Sequence, residues 1–87
     1  MASTKDLIKA GLLEEGDILV WKRRVQGVTL EALILKDGLI ETKDGKKHKT
    51  PSGAAKHLNR DKPVDGWIAW KVQSSGASLA ELRKRLT

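Results

Sequence analysis

The chain has 87 residues, 39% of them hydrophobic and 32% charged, with no cysteine and a net charge of +6. That length supports one modest core, and the missing cysteines exclude disulfides, thiolate nucleophiles and cysteine-ligated zinc. No apolar run approaches membrane-spanning length, and the polar start Ala2-Ser3-Thr4-Lys5-Asp6 is unlike a signal peptide, so one folded domain over residues 1–87 in a reducing cytoplasm, or at the nucleoid of a bacterium, is the expectation.

In chain order, Ser3 with Asp6 reads as a helix N-cap, Leu7 and Ile8 as an apolar face, and Gly11 as a stop. After the turn Glu14-Glu15-Gly16-Asp17, the segment Ile18-Leu19-Val20-Trp21 favours a strand, ending in Lys22-Arg23-Arg24. From Val28 the alternation of Val28, Leu30, Ala32 and Ile34 with Thr29 and Glu31 predicts a half-buried strand, apolar on both faces at Leu33 and Leu35. Asp37-Gly38 and Asp44-Gly45 are hairpin signals on either side of a short return strand, Leu39-Ile40-Glu41-Thr42, so the middle of the chain should be an antiparallel meander. Lys46-Lys47-His48-Lys49 follows as an outer strand whose lysines also deter unwanted pairing.

Thr50-Pro51 is a strong helix start, with threonine suited to the N-cap and proline to the first turn. The second helix should reach Leu58 or Asn59, with Ala54, Ala55 and Leu58 inward and Ser52, Lys56, Asn59 and Arg60 toward the other side. Trp67-Ile68-Ala69-Trp70-Lys71-Val72 has the composition of a further strand, on which the two tryptophans point to opposite faces; Trp70 and Trp21 are assigned to the core. Ser78 and Glu81 then form a capping box for a last helix with Leu79, Leu82 and Leu86 inward. The sequence stops within that helix, which points to a domain excised from a larger protein.

Residues 43–62 carry seven Lys/Arg against two Asp/Glu, a local +5, whereas residues 1–42 net −1. Such a block suits a polyanion, because neutralising phosphates releases their condensed counterions. The start of the second helix adds outward N–H groups and the hydroxyls of Thr50 and Ser52, with Gly53 leaving the backbone open, so it is a candidate phosphate seat. Trp67 is a candidate surface for stacking or for a methyl group. The histidines His48 and His57 have no nucleophile-elbow serine nearby in the sequence, and with Asp44 or Asp61 they lack a recognised metal-ligand spacing. Neither a catalytic centre, a metal site nor a cofactor is therefore assigned.

Thr50-Pro51-Ser52-Gly53-Ala54-Ala55 followed by Gly66-Trp67-Ile68-Ala69-Trp70-Lys71-Val72 resembles the RAMA domain, the module associated with restriction enzymes and adenine methylases. Leu12 to Leu19 and Asp37-Gly38-Leu39-Ile40 are similar to its first strand entry and hairpin, so the resemblance spans nearly the whole chain. It implies a non-catalytic α+β module, appended to a methyltransferase or nuclease domain, that binds duplex DNA and reads methylated adenine. Asp65 stands where the resemblance calls for asparagine; a carboxylate only accepts hydrogen bonds, which favours backbone binding over reading an adenine edge.

The sequence thus predicts an α+β fold, a small twisted antiparallel sheet of about four strands with two or three helices mainly on one face. The expected DNA contacts are Lys46, Lys47, His48, Lys49, Thr50, Ser52, Gly53, Lys56, Asn59, Arg60, Lys62 and Trp67. The alternative is a protein-interaction module in which the basic face docks an acidic partner and Trp67 anchors an apolar contact.

Overall fold

The computed structural model describes residues 2–23 and 26–86. Its first helix, α1 (Thr4–Lys9), is closed by reciprocal bonds: Asp6 N–H donates to Ser3 Oγ, and Ser3 N–H donates to the Asp6 carboxylate at 2.8 Å. Six residues are too few to hold a helix by themselves. Burial of Leu7 and a 2.7 Å bond from the buried Thr4 hydroxyl to the Gly38 carbonyl tie α1 to the hairpin beneath it.

Five strands follow the alternating pattern: β1 (Ile18–Arg23), β2 (Val28–Ile34), β3 (Ile40–Thr42), β4 (Lys47–His48) and β5 (Lys71–Val72). They form one open antiparallel sheet in the order β4-β3-β2-β1-β5. The meander and both Asp-Gly turns stand where the sequence put them. Arg24, the expected end of the first strand, lies outside the described residues. The register sets Leu19 opposite Ala32, Trp21 opposite Leu30 and Ile34 opposite Ile40. These residues share the face covered by the helices, where Leu7, Leu13, Leu19, Ile34, Ile40, Trp70 and Leu79 are fully buried. The alternate set, Ile18, Val20, Glu31 and Leu33, lies on the other face, and Ile18 and Leu33 remain exposed.

Against the buried face pack α2 (Pro51–Leu58), α3 (Gly66–Ala69) and α4 (Leu79–Lys84). The last begins in a second reciprocal cap between Ser78 and Glu81 and buries Leu79 and Leu82. The fold is α+β with four short helices and one strand more than expected.

The segment from Trp67 to Val72 departs from the expected continuous strand. Gly66–Ala69 is a helical turn, and only Lys71–Val72 pairs with β1. Three specific bonds override the strand propensity of Trp67 and Ile68. The Asp65 carboxylate accepts from Trp67 N–H at 3.0 Å, Ser52 Oγ accepts from Gly66 N–H at 3.0 Å, and the Trp70 indole N–H donates to the Pro51 carbonyl at 3.1 Å. The geometry requires glycine at 66. A Cβ there would stand 2.1 Å from the Pro51 carbonyl oxygen and 2.5 Å from Ser52 N, so α3 rests directly on the backbone of the first turn of α2.

Trp70 is completely buried, with the Trp21 ring edge-on at 5.8 Å. Withdrawing a tryptophan from water is worth roughly 4–6 kcal/mol as an upper value. An unpartnered indole N–H would subtract about 1–3 kcal/mol, so the bond to Pro51 lets the ring occupy the core without that penalty.

Gly66→Ala should therefore cost at least about 3 kcal/mol or prevent folding, since the obstacle is backbone. Gly45→Ala, at a left-handed residue (φ 84°) with open space around it, should cost only about 1 kcal/mol. Urea unfolding of the two variants checks the ranking, and equal losses would contradict it.

Candidate nucleic-acid interface

The basic block folds into two neighbouring pieces, the β3–β4 hairpin and α2. They are fastened by His57, whose Nε2 lies 2.6 Å from the Asp44 carboxylate, and by the His48 and His57 rings, 4.9 Å apart and tilted by 39°. The buried Thr42 hydroxyl completes the joint. It donates to the other Asp44 oxygen, and His48 Nε2 lies 3.4 Å from it. A hydroxyl has one proton to give, so an N–H on His48 Nε2 fits this arrangement. A polar string, His48 to Thr42 to Asp44 to His57, thus crosses from β4 to α2.

The Asp44 carboxyl is held well below the usual carboxylate range, chiefly by the Thr42 hydroxyl and next by His57, with the Lys46 N–H also contributing. His48 is pushed below the ordinary imidazole value, first by its burial and then by the neighbouring charge of His57; Asp44 opposes this. Although the string brings two histidines and an aspartate together, no metal-binding group of three such side chains forms among the described residues.

Around this joint, Lys46, Lys47, Lys49, Lys56, Arg60 and Lys62 are exposed, while His48 and Asn59 are half-buried. None of the six cations forms an ion pair among the described residues, in contrast to Lys43, which lies 3.7 Å from Glu31. The turn after α2 places Arg60 and Asp61 in succession in the left-handed region, at φ 54° and 62°. Non-glycine residues there cost about 1–3 kcal/mol each. Asp61 N–H donating to the Lys56 carbonyl and the Asn59 side-chain amide donating to the Lys62 carbonyl hold this turn, with Arg60 and Lys62 outward.

At the start of α2, where a phosphate seat is expected, the fold itself uses several of the polar groups. Pro51 has no N–H, Gly53 N–H donates to Thr50 Oγ1 at 2.9 Å, and Ala54 N–H donates to the Thr50 carbonyl at 3.1 Å. Ser52 N lies under Gly66, and Ser52 Oγ accepts from the Gly66 N–H rather than facing outward with Lys56. Ser52 is thus part of the α2–α3 junction, while Thr50 caps α2 through the Gly53 N–H. Trp67 is half-buried against the core, and the Arg83 guanidinium covers its ring at 4.2 Å. One face of the Trp67 ring is thus occupied by that cation.

Sequence reasoning missed the roles of Asp44 and His57 as the fastening between hairpin and helix, and that of Asp65 as the N-cap of α3. A signal existed for the last. Aspartate followed by glycine and an aromatic suits a cap as well as a strand entry, and aspartate and asparagine cap about equally well, so the fold tolerates the departure at 65.

Both shifted groups act in one direction. His48 has a folded value below its unfolded one, so the stability it contributes is complete above the usual 6.5 and declines as pH falls below it. Asp44, also depressed, contributes stability above its usual 3.8 that is lost as pH falls through the lower folded value. Unfolding free energy should therefore fall between about pH 7 and pH 5 in the wild type and be flatter there in His48→Gln. Asp44→Asn should flatten only the more acidic limb. Urea titrations across pH read both; an unchanged slope in His48→Gln would contradict the assignment.

No curated protein matches this sequence closely enough to supply a relative. Over residues 2–87, however, it matches the family model of the Restriction Enzyme Adenine Methylase Associated domain, RAMA, and the chain belongs to that family.

Proposed function

We propose that this RAMA domain is a non-catalytic module that binds duplex DNA for a restriction-modification protein, bringing DNA to a methyltransferase or nuclease domain. The observation that carries the reading is the group of six exposed cations, Lys46, Lys47, Lys49, Lys56, Arg60 and Lys62, on and beside the hairpin and helix fastened by Asp44 and His57 and on the turn after that helix. Lacking internal counterions among the described residues, they suit an external polyanion, and each phosphate neutralised adds sequence-independent affinity through counterion release. The family's association with adenine methylases supports DNA as that polyanion.

Within this reading the lysines and Arg60 meet phosphates, while His48 and Asn59 are the polar side chains we assign to a base edge. Trp67, with Arg83 over its ring, has a lesser part. Methylated adenine is read by those polar groups. Duplexes of one sequence with and without the methyl group test this point, and equal affinities confine the function to the backbone.

Two variants test the surface. Lys47→Glu with Lys49→Glu should weaken duplex binding at least tenfold and lower the salt slope by about two. Unchanged affinity and slope in a gel-shift titration would exclude the surface. Arg60→Gly separates binding from folding: it relieves a left-handed arginine, so stability should hold or rise by up to about 1 kcal/mol while affinity falls.

A further inference from the structure

The opposite edge of the sheet carries features for which DNA binding has no use. β2 accompanies β1 along its full length, but β5 covers only Leu19 and Val20, because the chain has just left α3. Gln73 N–H donates to the Ile18 carbonyl, so residues 18, 20 and 22 turn their peptide groups toward the β5 side. The peptide group of Lys22 therefore faces a strand edge with no strand beside it among the described residues.

Next to that edge is a groove of about 790 Å³ lined by Val20, Trp21, Lys22, Ile68, Ala69 and Lys71. Ile68 is 64% exposed, more than any other large hydrophobic side chain described, although its neighbours Gly66 and Trp70 are buried. Trp67 and Ala69 are half-buried, so Ile68 is the one exposed residue of α3 and leaves an apolar wall open. The charged lining is mainly cationic: Lys22 and Lys71 flank the groove, and the guanidinium of Arg23 lies 4.9 Å from the Trp21 ring centre. Glu31, on the far wall, has Lys43 beside it at 3.7 Å.

We propose that this groove binds an extended segment of a partner protein in which apolar and acidic residues alternate. The segment adds edge-on to β1 at Lys22, sets an apolar side chain against Ile68 and Val20, and brings carboxylates to Lys22 and Lys71. A strand edge fixes the extended backbone, the exposed isoleucine fixes the apolar contact, and the lysines fix the charge of the partner. Duplex DNA would satisfy the lysines but leave Ile68 and the open peptide group unused. Because β4 and β5 are at opposite ends of the sheet order, the segment and a nucleic acid can be held together.

The test is an amide and methyl NMR titration of the chain with a capped synthetic heptapeptide of alternating aspartate and leucine, a control with lysine replacing aspartate, and a duplex DNA. Saturable shifts at Trp21, Lys22, Ile68 and Lys71 with the aspartate peptide alone are expected. Ile68→Asp, at an exposed position and with an unchanged melting temperature, should weaken that binding at least tenfold. Lys22→Glu with Lys71→Glu should transfer the preference to the lysine peptide. Lys47→Glu with Lys49→Glu should leave peptide binding intact, which separates this site from the DNA surface. Absence of saturable shifts, shifts confined to residues 43–62, or a response of Lys22 and Ile68 to duplex DNA instead of peptide would each overturn the proposal.

Discussion

One carbonyl oxygen organises the molecule. The Pro51 carbonyl occupies the space in which any side chain at 66 would lie and accepts the proton of the most deeply buried aromatic ring. Through that contact α3 is fixed on α2, and Trp70 reaches across to Trp21 on β1. The chain can then return as β5 along the edge of the sheet. Helices of four to eight residues are too short to be stable alone, so each depends on such docking. The contact also explains the separated sequence pair, threonine-proline-serine-glycine and glycine-tryptophan-isoleucine-alanine-tryptophan, as two halves of one junction: carbonyl and hydroxyl from the first, a missing side chain at 66 and the Trp70 indole from the second.

This junction bears on function by withdrawing residues from it. Part of the helix start that looks ready for an anion is used from within, and one face of the tryptophan that looks ready to stack lies beneath an arginine. What remains outward is the plain cationic character of the hairpin and of the far side of α2. Its shape depends on neutral-to-anionic hydrogen bonding among Thr42, Asp44, His48 and His57. In the proposed reading such a surface holds a phosphate backbone and discriminates little along it, because its cations sit on flexible stems rather than in fixed bidentate frames.

Much of the architecture was legible from residue pattern alone. Alternation along Val28 to Ile34, the Asp37-Gly38 and Asp44-Gly45 turns and the Ser3/Asp6 and Ser78/Glu81 boxes are local signals, and the structure keeps all of them. Trp67 to Val72 was not legible, because its helical turn is imposed by Ser52 and Pro51 from fourteen to nineteen residues away. The cationic block was readable as charge, whereas its fastening was not. Asp44 and His57 are thirteen residues apart, and only the hairpin geometry brings them to one bond.

Residue 65 shows how such a domain can be tuned. The fold asks it only for an oxygen to receive the Trp67 N–H, and an amide supplies one as well as a carboxylate does. The architecture is therefore indifferent to whether this position is neutral or negative, and the electrostatic field is not. An anion here adds a negative term to the field that any polyanion meets. Exchange between the two side chains would act as a dial on affinity that leaves the core untouched, a freedom the glycine beside it does not have.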